Sequence, residues 1–151
     1  MLLVSRGQNI GQPIDLIEHK KLDDLIIQIE NYLECWKQFN NYLSLARTKK
    51  FGQEDENQFL EVKSVLAQEL EMIISGIEFT NPSKDEVHTL LGGATSLRYL
   101  SELNEGTFRN LENQWHKIYI GLQSILGQLK VQQRQVESKS VWSSFFGKKK
   151  P

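Results

Sequence analysis

Apolar residues recur along this chain at the spacing of an amphipathic helix. In the first long segment they follow alternating steps of three and four residues, the a/d pattern of a helix that buries one face. The positions are Leu22, Leu25, Ile29, Tyr32, Trp36, Phe39, Leu43 and Ala46. Ile26 and Leu33 widen this stripe, which favours a bundle over a two-stranded coiled coil. A first helix is predicted over about residues 15–48.

Two further segments repeat the pattern. A second helix is predicted over about residues 54–78, after a loop that contains Gly52. The last helix, over about 107–138 with Thr107 as its N-cap, again alternates steps of three and four residues. Its apolar positions are Phe108, Leu111, Trp115, Ile118, Leu122, Ile125 and Leu129. Beyond Leu129 the sequence turns polar, so this helix is expected to fray near residue 138.

A third helix is predicted between these, over about residues 83–104. Ser83 and Glu86 form a capping box at its start. Gly92 and Gly93 interrupt its middle, and we interpret them as a point of close approach to another helix rather than a kink. The stretch LLGGATS is not a phosphate-binding loop, since it has no lysine and follows no strand.

Four amphipathic helices joined by short loops predict an all-α protein, an antiparallel up-down four-helix bundle. The bundle domain would cover residues 14–139, with an extended arm at 1–13 and a tail at 140–151. Helices 1 and 4 are longer than helices 2 and 3, so their ends should project and pair with a second copy or another partner. Trp36 and Trp115 both occupy a/d positions and are expected in the core, packed together.

Charge is distributed unevenly along the chain, although the net charge is only −1. Residues 130–151 carry six basic residues and one acidic residue, a net +5, and the other 129 residues carry a net −6. This balance does not favour nucleic acid as a partner, and it makes the tail the place for an anionic one. No signal peptide or membrane span is evident, so a cytoplasmic protein, at most peripheral to a membrane, is expected. The one cysteine, Cys35, is expected to be a half-buried structural thiol.

One short motif suggests an enzyme. The segment RNLENQWH, from Arg109 to His116 with Asn110 after the arginine, is similar to the R-x4–6-H signature of HEPN ribonucleases. The resemblance implies metal-independent RNA cleavage, in which the histidine moves a proton and the arginine stabilises the phosphorane charge. Against it, Arg109 and His116 both fall at heptad position b, in a row with Gln123 and Lys130 that is typical of a solvent-facing surface.

No metal site or cofactor is predicted. Di-metal bundles place inward carboxylates and E-x-x-H motifs on facing helices, whereas the a/d positions here are apolar. The chain has three acid–histidine pairs, of which only the second has the i, i+3 spacing. They are Asp15 with His19, Asp85 with His88 and Glu112 with His116.

The tail VWSSFFGKKKP is the one region whose composition the bundle does not require. Trp142, Phe145 and Phe146 are spaced to share one side of a short helix, and Lys148, Lys149 and Lys150 follow. Three interpretations remain open: the aromatic rings fold back on the bundle, dock into a protein partner, or enter a membrane surface. The sequence as a whole favours a non-enzymatic adaptor, scaffold or assembly subunit that acts through its projecting helices and this tail. The alternative is the ribonuclease.

Overall fold

The computed structural model describes the backbone of residues 13–147 and the side chains of residues 19–139, 141 and 142. This part of the chain is all-helical and contains five helices. They are α1 (Pro13–Thr48), α2 (Gln53–Gly76), α3 (Lys84–Gly93), α4 (Leu97–Ser101) and α5 (Glu105–Gly147). The predicted arm at 1–13 lies outside the described residues except for Pro13.

The apolar stripes of the helices meet in one core. Trp36 is its largest fully buried side chain, and its ring packs edge-on against Tyr32 and Phe39 at centroid distances of 6.1 and 5.4 Å. The Tyr32 hydroxyl donates a 2.7 Å hydrogen bond to the Leu66 carbonyl, so its polar atom is satisfied, and burial raises the pKa of Tyr32. Trp115, predicted to lie in the core, is half-buried at its edge, and it donates its indole N–H to the Trp36 backbone carbonyl at 2.8 Å.

Helices α1 and α5 run in opposite directions along each other. At one end the Arg47 guanidinium lies 2.8 Å from Glu105 and 2.7 Å from Glu112. Towards the other end, Gln133 donates a 2.7 Å hydrogen bond to the Asp23 carboxylate. The C-terminal end of α1 therefore lies beside the N-terminal part of α5. The N-terminal part of α1 lies beside the C-terminal half of α5.

The prediction of a single third helix over 83–104 is wrong, since the structure has two helices there. The Ser83–Glu86 capping box is present, and α3 ends at Gly93. Ser96 then caps α4, and the Glu56 carboxylate of α2 accepts hydrogen bonds from the first two backbone N–H groups of α4, at 2.8 and 3.1 Å. A carboxylate placed on these otherwise unpaired N–H groups stabilises a new helix start.

The interpretation of Gly92 and Gly93 as a close helix approach is also wrong. A Cβ atom on Gly92 would meet nothing within 4 Å, and one on Gly93 would lie in ordinary contact, 3.6 Å from Leu111. The two glycines instead end α3, because glycine is costly in a helix interior.

Replacing Glu56 with glutamine should lower the free energy of unfolding by about 1–2 kcal/mol, because two charge-assisted hydrogen bonds to α4 are weakened. Glu61→Gln, on an exposed position of the same helix, is the matched control and should change it by less than about 0.5 kcal/mol. Urea unfolding of both variants measures the difference. Equal effects would mean that Glu56 does not hold α4 in place.

Helix α5 differs from its prediction at both ends. The Asn104 side chain, rather than Thr107, caps it, accepting the Thr107 backbone N–H at 2.8 Å. At the other end α5 continues to Gly147 instead of fraying near 138. The segment between Gly127 and Gly147 contains neither glycine nor proline, and its glutamine, lysine and arginine residues favour a helix even where no core is left to bury.

Candidate functional site

The long helices extend past the end of α2. A Cβ atom on Gly76, the last residue of α2, would lie 3.0 Å from Cδ2 of Leu25, so α2 ends beside Leu25. On α5, Leu129 is the last buried side chain in the described part of the chain. Both long helices continue beyond these points. We call these parts the projecting pair: residues 13–24 of α1 and residues 130–147 of α5. At a rise of 1.5 Å per residue the α5 portion is about 27 Å long.

Polar contacts join the two helices of the projecting pair. His19 Nε2 lies 3.8 Å from Oδ2 of Asp23 and 3.9 Å from Oε2 of Glu137, and Gln133 bonds to Asp23 as described. Leu22 and Val136 are half-buried. These residues define the inner side of the pair, on which α1 and α5 face each other.

The outer side of α5 carries exposed apolar residues in a line. Ile120, Val131 and Trp142 follow each other at intervals of eleven residues, and Val131 and Trp142 are 53% and 56% exposed. Eleven residues complete three helical turns to within about 20°, so these three positions form an almost straight line along the helix. Val141, beside Trp142, is also exposed. The sequence analysis identified Trp142 but not Ile120 and Val131, because the eleven-residue spacing is not a heptad pattern.

The carboxylates of α5 lie beside α1, and so does Lys130, whose ammonium lies 3.3 Å from Glu30 of α1. The helix contains three acidic residues, Glu105, Glu112 and Glu137, and each lies next to a basic side chain of α1. The Arg47 guanidinium beside Glu105 holds the pKa of that carboxyl below its usual value. The cations Arg134 and Lys139 are exposed, and neither forms an ion pair with a described residue. The outer side of the projecting α5 is therefore basic and apolar.

Trp142 lines two shallow depressions, one of which extends to Glu137 on the side of α5 that faces α1. One is lined by Arg134, Glu137, Ser138 and Val141, and the other by Gln135, Ser138 and Lys139. Both are open to solvent. Trp142 is 56% exposed and is not a core residue of the bundle.

Beyond Trp142, the structure describes only part of the predicted tail site. Positions 145 and 146 belong to the backbone of α5, three and four residues after Trp142, but the side chains of Phe145 and Phe146 lie outside the described residues. Lys148, Lys149 and Lys150 lie outside them entirely. The aromatic positions thus continue a long helix instead of forming a separate short one.

The candidate ribonuclease residues lie on the outer face of α5, as the heptad indicates. Arg109, Asn110 and His116 are all exposed. The Arg109 guanidinium lies 3.3 Å from the Glu105 carboxylate one turn earlier, and the His116 ring lies 6.2 Å from that of Trp115.

The acid–histidine pairs considered for a metal do not converge. His88 lies 3.5 Å from Glu71, on the neighbouring helix, and Lys84 lies 2.9 Å from the same carboxylate. Between residues 19 and 142 no group of three or more histidine, cysteine or acidic side chains is placed to hold a metal ion. The side chain of Asp15 lies outside the described residues. Cys35 is half-buried, and burial raises the pKa of its thiol, which disfavours the reactive thiolate.

None of the helices between residues 13 and 147 has an apolar stretch long enough to cross a bilayer. Comparisons of the chain with protein-family models, with curated proteins and with solved structures found no match.

Proposed function

We propose that this protein is a non-enzymatic interaction module, an adaptor, scaffold or assembly subunit, that binds through the projecting pair and the end of α5. The observation that carries the proposal is the exposed apolar line on the outer side of α5, which continues to Trp142 beyond the last buried core residue, Leu129. In this proposal the body is an antiparallel four-helix bundle in which α3 and α4 together take the place of one interrupted helix.

These side chains are not part of the buried core of the body. Leu129 and the core residues before it face inward, whereas Val131, Val141 and Trp142 are each more than half exposed. Burying apolar surface releases about 25 cal/mol per Å², so a partner that covered these residues would gain binding energy. Tryptophan is the residue most often found at the centre of such contacts.

The partners we propose follow from the same surface. A protein partner, including a second copy of this chain, could pack along the projecting pair, and a membrane surface could meet its end. A cytoplasmic protein, in part peripheral to a membrane, accords with this proposal. The described residues give the ribonuclease alternative no specific support, because Arg109 is paired with Glu105 and stands with His116 on an open surface.

Photocrosslinking at single positions tests the proposal. A benzophenone amino acid is placed in cells at position 131 or 142, and at two control positions on the outer side of α2, Leu60 and Met72, which are 50% and 56% exposed. We expect adducts with protein or lipid from positions 131 and 142 and at least about tenfold fewer from the controls. Equal yields at all four positions, or none at any, would contradict an interaction through the projecting pair.

A further inference from the structure

We propose that the end of α5 binds the surface of an anionic lipid bilayer, with Val141 and Trp142 entering the headgroup region and Arg134 and Lys139 lying among the lipid phosphates. This inference rests on the proposed function, because it assigns a binding partner to the projecting pair.

The apolar part of the site suits an interface between water and lipid. Trp142 presents a ring with an apolar body and a polar N–H, the type of side chain that accumulates at membrane interfaces. Val141 is exposed beside it, and positions 145 and 146, both phenylalanine, follow on the same helix. A helix end with several such residues and few other apolar groups matches an interfacial segment rather than a membrane span.

Charge complementarity supports an anionic surface. Arg134 and Lys139 are exposed and form no ion pair within the described part of the chain. The carboxylate of Glu137 faces α1, where it lies 3.9 Å from His19. From residue 138 onward the sequence contains four lysines and no acidic residue. The remaining body, at −6 over residues 1–129, would be repelled by the same surface, so contact would be confined to this end.

The size of the apolar surface favours a bilayer over a folded partner. A stable protein interface buries about 800 Å² on each side, whereas the exposed apolar residues here form a line one side chain wide. A bilayer needs no complementary shape, and the two depressions beside Trp142 are shallow and open. Two copies that met end to end would bring together two segments of +5 each.

Vesicle binding by the full-length protein tests the assignment. Sedimentation is compared for phosphatidylcholine vesicles and for vesicles with about a third of phosphatidylserine, at low and high salt. We expect binding to the anionic vesicles that falls as salt rises. Trp142→Ala should weaken it at least about tenfold, since the inserted ring is lost. The double variant Arg134→Gln, Lys139→Gln should weaken it by about tenfold or more, since each cation near a charged surface contributes about fivefold.

Two matched controls keep the test specific. Met72→Ala removes an apolar residue of α2 that is as exposed as Trp142, and Arg98→Gln removes an exposed cation on α4. Both should bind as the unmodified protein does. Trp142→Phe should keep most of the binding but lose the quenching of tryptophan fluorescence by brominated lipids, because Trp36 and Trp115 lie in the bundle.

The outcomes separate this inference from the proposed function. Vesicle binding that does not depend on lipid charge, or that Met72→Ala weakens as much as Trp142→Ala, would overturn the membrane site. So would an absence of vesicle binding in a protein whose positions 131 and 142 still crosslink to another protein or to a second copy, while the interaction function would stand. If neither vesicles nor crosslinked partners were found, both proposals would be wrong.

Discussion

Replacing Trp36 with alanine is expected to lower the free energy of unfolding by about 3–5 kcal/mol, the loss typical of a large aromatic side chain removed from a closed core. Trp36 is fully buried between Tyr32 and Phe39, so its removal would leave a cavity that these rings cannot fill without losing their own contacts. The hydrogen bond from Trp115 would survive, because it ends on the backbone carbonyl of Trp36. The effect would combine the lost packing with removal of the buried Trp36 indole N–H, which has no hydrogen-bond partner within the described residues.

The same substitution at Trp142 is the matched control. Because that ring is 56% exposed beyond the last buried residue of α5, we expect Trp142→Ala to change the free energy of unfolding by less than about 0.5 kcal/mol. Urea unfolding of both variants, followed by circular dichroism at helical wavelengths, measures the two values. A loss of several kcal/mol at Trp142 would place that ring in the core and remove the main support for the proposed function.

Replacing Gly121 with alanine is expected to lower the free energy of unfolding by about 1–3 kcal/mol, the usual cost of overpacking. A Cβ atom there would lie 2.7 Å from Cδ of Pro82, 2.9 Å from its backbone nitrogen and 3.1 Å from the Asn81 carbonyl oxygen. Two of these three atoms belong to the backbone and cannot move aside cheaply. The helix propensity of alanine, favourable by about 1 kcal/mol, offsets only part of this cost.

Gly127 provides the opposite case in the same helix. A Cβ atom at that position would meet nothing within 4 Å, so Gly127→Ala should raise the free energy of unfolding by about 0.5–1 kcal/mol through helix propensity alone. Thermal unfolding of the two variants side by side shows the sign directly. If both substitutions stabilised the protein, α5 would not be packed against the Asn81–Pro82 turn as described.

Much of the fold could be predicted because its signals are local. The alternating steps of three and four residues locate α1 and most of α5, and the same periodicity brings Trp36 and Trp115 to one seam. The Ser83–Glu86 capping box is likewise a property of four consecutive residues. In each case the physical cause lies within a few turns of the helix that it specifies.

The features that sequence reasoning missed depend on residues far apart in the chain. The start of α4 is held by Glu56, about forty residues earlier, in addition to the local cap from Ser96. A Cβ atom on Gly121 would be crowded only because Pro82 packs against that position. A Cβ atom on Gly92 or Gly93, the pair that the sequence singled out, would not be crowded. The candidate site shows the same division: the spacing of the tail aromatics is local, but the pairing of the α5 carboxylates with Arg47 and His19 emerges only once α1 lies beside α5.

Because α5 continues without interruption from the core to residue 147, the orientation of its end is set by helical geometry. From Leu129 to Trp142 the helix advances about 20 Å with no glycine or proline at which it could bend freely. Whatever holds Trp142 would therefore keep the bundle at a fixed distance and a fixed rotation about the helix axis. Insertion of a single residue in this stretch would turn the exposed apolar side by about 100° relative to the bundle, without altering one contact in the core.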